Sequence, residues 1–131
     1  MRQVTRRRIE QAEGDLLMAQ QSLASGNPVY DGICFHAQQC VEKYLKAVLE
    51  EQGTRYPYSH NLPDLAALTG GTVPDLYGFG DDLIWLTTHA VETRYSDASV
   101  TAEDAERAMQ IALAARRVLR VALGLAAEVT S

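Results

Sequence analysis

The run from Cys34 to Leu49 constrains this chain more than any other part of it. Ile33, Ala37, Cys40, Tyr44 and Val48 recur at helical spacing, and Val41, Leu45 and Leu49 widen the stripe. More than half the circumference is then apolar or small, which puts this helix at the centre of a fold. One face departs from that pattern, because it carries His36, Gln39 and Lys43. Successive helical residues advance by about 100°, so these three fall within about 60° of one another. A histidine, an amide and an ammonium on a mostly apolar helix are either a polar site or a hydrogen-bonded element of a helix bundle.

The periodicity predicts further helices on either side. Ile9, Ala12, Leu16, Ala19 and Leu23 give an apolar stripe on a first helix from Val4 to Ala24. Ser25-Gly26-Asn27-Pro28 ends it, with Gly26 suited to a left-handed position. Asn27 and Pro28 read as the cap and first residue of the central helix, which runs from Val29 to Glu51 and stops at Gly53. After a Tyr56-Pro57-Tyr58 loop, Asn61 caps a short helix that reaches Leu68. Pro74, Gly78 and Gly80 make the next stretch irregular or weakly helical.

A fourth helix is expected from Asp81 to Thr93, with Leu83, Leu86 and Ala90 inward and Trp85 near the edge. Thr101 and Asp104 resemble a capping box for a last helix from Ala102 to Ala127. That helix carries a small-residue stripe (Ala105, Ala108, Ala112, Ala115, Leu119, Ala122) and a second one of Ile111, Val118 and Leu125. Two stripes point to packing inside its own bundle and against another surface, and a homodimer is the natural use of the second. No segment alternates like a strand. The expected fold is an all-α, antiparallel up-and-down bundle of four to five helices, one domain over residues 1–131.

Charge and cysteine usage narrow the function classes. The net charge of −5 argues against non-specific wrapping of nucleic acid, although Arg2, Arg6, Arg7 and Arg8 crowd one end and Arg116, Arg117 and Arg120 the other. Cys34 and Cys40 point about 120° apart on one helix and cannot pair within it. Two such thiols fit a packing role in a reducing compartment. No apolar run is long enough to span a membrane, and the basic N-terminus leads into no secretory signal. The expected location is the cytoplasm.

The chemistry-bearing motifs are few. Cys34, His36 and Cys40 do not share a face and have no second ligand pair, so no metal is expected. Gly70-Gly71 lacks the lysine and hydroxyl residue of a phosphate loop, and no nucleophile elbow is present. Asp81-Asp82 fits helix capping. The candidates left are polar groups that loops could bring together: His36, Gln39 and Lys43; His60 at a loop-to-helix junction; and Arg94, Tyr95 and Asp97 after the fourth helix. A histidine beside an arginine can cleave RNA without metal, one moving a proton and the other steadying phosphate charge. The competing reading is that both histidines satisfy backbone groups and Arg94 pairs with a carboxylate.

At these residues the chain resembles the HEPN domain family. The resemblance is carried by Tyr30-Asp31 leading into Cys34-Phe35-His36-Ala37-Gln38-Gln39-Cys40-Val41-Glu42-Lys43-Tyr44-Leu45-Lys46-Ala47. It continues in Ser59-His60-Asn61-Leu62-Pro63-Asp64-Leu65 and in Arg94-Tyr95-Ser96-Asp97 before a long last helix. It covers Thr5 to Ala127, and Phe-His-Ala-Gln-Gln followed by Glu-Lys is similar to the branch that stands beside minimal nucleotidyltransferases. The resemblance implies an up-and-down bundle that dimerises, with a role around nucleotides or RNA. It also implies one half of a toxin–antitoxin-like module whose partner is a minimal nucleotidyltransferase.

Many members of the family are metal-independent endoribonucleases with a motif of arginine, four to six residues, then histidine. Here no histidine stands at that distance after Arg94, and Arg55 and His60 fit the spacing only in the wrong loop. Three readings follow. The first is a binding partner of a nucleotidyltransferase, nucleotide or RNA. The second is an endoribonuclease using His60 with Arg55 or His36 with Arg94. The third is a structural dimerisation module without ligand.

Overall fold

A computed structural model describes residues 1–90 and 99–129. Among the described residues the regular structure is five α-helices and one 3-10 turn: α1 (Gln3–Ala24), α2 (Tyr30–Gln52), α3 (Leu62–Ala67), the 3-10 turn (Pro74–Phe79), α4 (Gly80–Ala90) and α5 (Ala102–Ala122). No strand occurs among the described residues, and the fold is the all-α bundle that the periodicity predicts. The expected last turn of the fourth helix, to Thr93, lies outside the described residues. No helix among them is long and apolar enough to cross a membrane.

α2 is the hub. Ile33, Cys34, Ala37, Cys40, Val41, Tyr44, Leu45, Ala47, Val48 and Leu49 are all buried along its length. Each fully buried leucine contributes roughly 1.5–3 kcal/mol, so the helix is held from several sides at once. α1 runs antiparallel to it, tied at one end by Arg8 to Glu50 and at the other by the Ser22 hydroxyl, which accepts from the Val29 N–H. α5 runs the same way as α2: Asp104 at its start acts on Cys34, and Arg120 near its end reaches Tyr44. α3 and α4 close the remaining side, where the Leu62 N–H donates to the Thr87 hydroxyl.

The helix ends show where local rules hold and where they give way. Gly53 adopts φ 74°, and the Thr54 N–H bonds back to the Leu49 carbonyl, a left-handed stop for α2. Asn61 caps α3 by accepting from the Asp64 N–H, and Thr101 and Asp104 form the expected reciprocal box. The α1–α2 turn differs from expectation. Gly26 has no positive φ, and α2 begins after Val29 rather than at Pro28. Two serines replace the expected cap: Ser25 donates to the Ser22 carbonyl, and Ser22 in turn holds Val29.

α5 ends at Ala122, short of Ala127. Gly124 turns left-handed at φ 77°, and the Leu125 N–H returns to the Arg120 carbonyl. Its second stripe does not stand free either. Ile111 joins the chain's own core, and Leu125 lies beyond the helix. Trp85 sits at the edge as expected, stacked on His89 with the Arg107 guanidinium 4.3 Å from its ring.

Candidate functional site

The polar stripe of α2 is organised by two carboxylates, each of which gathers a histidine and a lysine. Asp15 is 8% exposed because it lies on the core-facing side of α1, between Ala12 and Ala19. Its Oδ1 accepts from His36 Nδ1 at 2.7 Å, and its Oδ2 accepts from Lys43 Nζ at 2.5 Å. His36 and Lys43 stand seven residues apart, two turns of one face, so both reach the same acceptor. With Nδ1 committed to Asp15, Nε2 is the ring nitrogen not engaged by that carboxylate.

The second carboxylate, Glu42, is 3% exposed. Its Oε1 accepts from His60 Nδ1 at 2.7 Å and from Gln38 Nε2 at 3.3 Å. Its Oε2 accepts from Lys46 Nζ at 3.0 Å. Gln38 also donates to the His60 carbonyl at 2.8 Å, so the loop before α3 is pinned to α2 through both the ring and the backbone of His60. The Tyr58 hydroxyl stands 3.2 Å from His60 Nε2, and the Lys46 ammonium lies over the Tyr56 and Tyr58 rings. A buried charge is tolerated only when it is paired and hydrogen-bonded, and both carboxylates meet that condition.

The expected His36, Gln39, Lys43 group is therefore divided. His36 and Lys43 meet on Asp15. Gln39 turns to the other cluster, donating to Gln38 Oε1 at 2.8 Å and approaching Glu42 at 3.4 Å. His60 belongs to that second cluster. Arg94, Tyr95 and Asp97 lie outside the described residues. Arg55 is exposed and makes no hydrogen bond or ion pair with His60. The rings of His36 and His60 satisfy carboxylates rather than the backbone groups expected on the competing reading.

Asp15, Gln38, Glu42 and Lys46 are the residues that sequence reasoning missed. Two signals were present. Asp15 interrupts an otherwise apolar stripe of α1, and Gln38, Glu42 and Lys46 repeat every four residues along α2. No group of three or more histidines, cysteines or carboxylates among the described residues could hold a metal ion.

A third network closes the far side of α2. Arg116 donates to Glu13 through Nε at 2.8 Å and Nη2 at 2.7 Å, and the Tyr44 hydroxyl donates to Glu13 at 2.6 Å. Burial pulls the Glu13 carboxyl up, but the bonds from Arg116 and Tyr44 outweigh it and hold the group below its ordinary range. Burial and the Glu13 bond push the Tyr44 hydroxyl up to about 12. The thiols of Cys34 and Cys40, both in the core, are pushed up to about 12 by burial first and by nearby carboxylates second. As neutral thiols they serve packing.

Comparison with curated proteins and with solved structures finds no match. A family model for the HEPN domain matches residues 5–123, from the first turn of α1 to the residue after α5. By that match the chain belongs to the HEPN domain family.

Proposed function

We propose that this chain acts by binding, as the HEPN half of a two-component, toxin–antitoxin-like module whose other half is a minimal nucleotidyltransferase. The polar ridge of α2 is the face offered to that partner or to a nucleotide or RNA, and the chain works as a homodimer. Family membership points to nucleotide- or RNA-related work in general. The Phe35-His36-Ala37-Gln38-Gln39 run and Glu42-Lys43 support the nucleotidyltransferase-linked branch.

One observation carries the preference for binding over cutting. Both lysines of the ridge are consumed by Asp15 and Glu42. Metal-free RNA cleavage needs a cation free to steady the phosphate beside the proton-transferring group. Here each oriented histidine has a carboxylate at its back and a neutralised lysine beside it.

The test begins with the gene next door. A small nucleotidyltransferase encoded beside this chain would be co-expressed with it and the mixture passed over a sizing column. A complex that elutes as one species, and that weakens in His36→Ala, supports the reading. Separate elution of two folded proteins overturns it. Incubating the chain with RNA in the presence of chelator tests the nuclease alternative. Cleavage lost in the His36→Ala, His60→Ala double variant would replace the binding reading with that one.

A further inference from the structure

The corner where α1 meets the end of α5 holds a buried cation with no ion pair among the described residues. Arg120 is 8% exposed. Its Nε donates to the Ala126 carbonyl at 2.7 Å, and its Nη1 donates to the Tyr44 hydroxyl at 3.0 Å. Neither acceptor carries a charge. Glu13, whose field reaches Arg120, is already bound by Arg116 twice and by Tyr44. Glu128 is shared between Arg116 and Arg117. No ion pair of Arg120 exists among the described residues. Withdrawing a guanidinium from water without a counter-charge is costly, so a retained one points to an anion from outside the chain.

Arg120 also lines an open groove of about 410 Å³ together with Met1, Arg6, Ile9, Glu10 and Leu125. Ile9 and Leu125 give it apolar walls. Arg6, exposed at the rim, makes no ion pair among the described residues. The volume falls in the range of small-ligand clefts, roughly 300–1,000 Å³. In this corner four guanidinium groups (Arg6, Arg116, Arg117, Arg120) face three carboxylates (Glu10, Glu13, Glu128). The local excess is positive on a chain whose net charge is −5.

We propose that this groove binds the phosphate group of a nucleotide or of an RNA strand, with Arg120 at its floor and Arg6 at its rim. The N–H donors of Arg120 not used by Ala126 and Tyr44, together with the Arg6 guanidinium, can bond the oxygens of one anion, and the apolar walls accept the less polar part of the ligand. The choice of a phosphoester over a carboxylate rests on the nucleotide- and RNA-related reading above. The site is separate from the α2 ridge, and Glu10 is its built-in restraint.

Two probes distinguish the phosphate's source: a labelled ten-nucleotide single-stranded RNA followed by anisotropy, and ATP followed by calorimetry. Binding by either is expected to fall about tenfold in Arg6→Glu, with the salt dependence of RNA binding reduced by about one charge. Glu10→Gln should strengthen binding several-fold, and Arg120→Gln should abolish it. Thermal melts of each variant separate loss of the site from loss of the fold. If Arg120→Gln does not fold, Arg6→Glu and Glu10→Gln decide. Failure of the unaltered chain to bind both probes overturns the proposal. Binding that ignores both rim variants, or that is lost in His36→Ala instead, overturns it equally. None of these results bears on complex formation with a nucleotidyltransferase, which stands or falls on its own test, whereas probe binding lost in His36→Ala would favour the α2 ridge as the nucleotide or RNA face.

Discussion

His36 Nδ1 lies 2.7 Å from Asp15 Oδ1, across the interface between the second helix and the first. The carboxylate receives Lys43 on its other oxygen, so one acidic group of α1 anchors two basic groups of α2. Asp15 is the most buried of the three, and the two basic side chains shield it from water.

Removing the hub should therefore cost more than removing a spoke. Asp15→Ala strands two basic groups at a half-buried interface and is expected to lower unfolding free energy by about 2–3 kcal/mol. His36→Ala leaves the Asp15–Lys43 pair intact and should cost about 1 kcal/mol or less. Urea unfolding of both variants checks the order. If His36→Ala proves the more damaging, Asp15 is not the organising group.

Acid should weaken the fold through Glu13. Its carboxyl titrates lower in the folded chain than the ordinary value of 4.5, because the Arg116 and Tyr44 bonds overcome the effect of burial. A depressed folded value means the contribution is present above the unfolded value and lost as pH falls through the folded one. Stability is thus expected to decline as pH drops below about 4.5. Glu13→Gln should flatten that decline when denaturation is followed against pH.

The two thiols should be silent while the chain is folded. Both are buried and pushed up to about 12, so almost no thiolate exists near pH 8. A disulfide reagent should titrate neither in buffer and both in denaturant. Prompt reaction of one thiol in the folded protein would show that the α2 core opens.

The stop of α2 offers a test of backbone conformation. Gly53 holds φ 74°, and a Cβ there would stand 3.2 Å from the mobile tip of Arg2. The tip can swing away, so the left-handed conformation sets the cost. Gly53→Ala should destabilise by about 1 kcal/mol in thermal or urea melts.

How much of this was legible from the sequence depends on the range of the interaction. α1, α2, α3 and α5 follow from spacing and punctuation, because Gly53, Asn61 and Thr101 act within a few residues. The start of α2 was misplaced because Ser22 bonds Val29 seven residues on, outside the local rule that favoured Asn27-Pro28. The site was half legible for the same reason. His36 and Lys43 share a face by arithmetic, but their acceptor lies on another helix, 21 and 28 residues away. Gln39 shares that face as well, but its partners, Gln38 and Glu42, stand beside it on α2 and turn it towards the His60 loop.

The ties between α1 and α2 have one further consequence. Arg8 meets Glu50, Asp15 meets Lys43 and His36, and Ser22 meets Val29, at three heights along the hairpin. Two greasy helices alone could slide past each other by a turn, about 5.4 Å, and still bury their stripes. These three ties work like the teeth of a key, because a one-turn slip breaks all of them together. Sequence drift among the leucines and alanines between them can then proceed without altering which residues of α2 are presented outward.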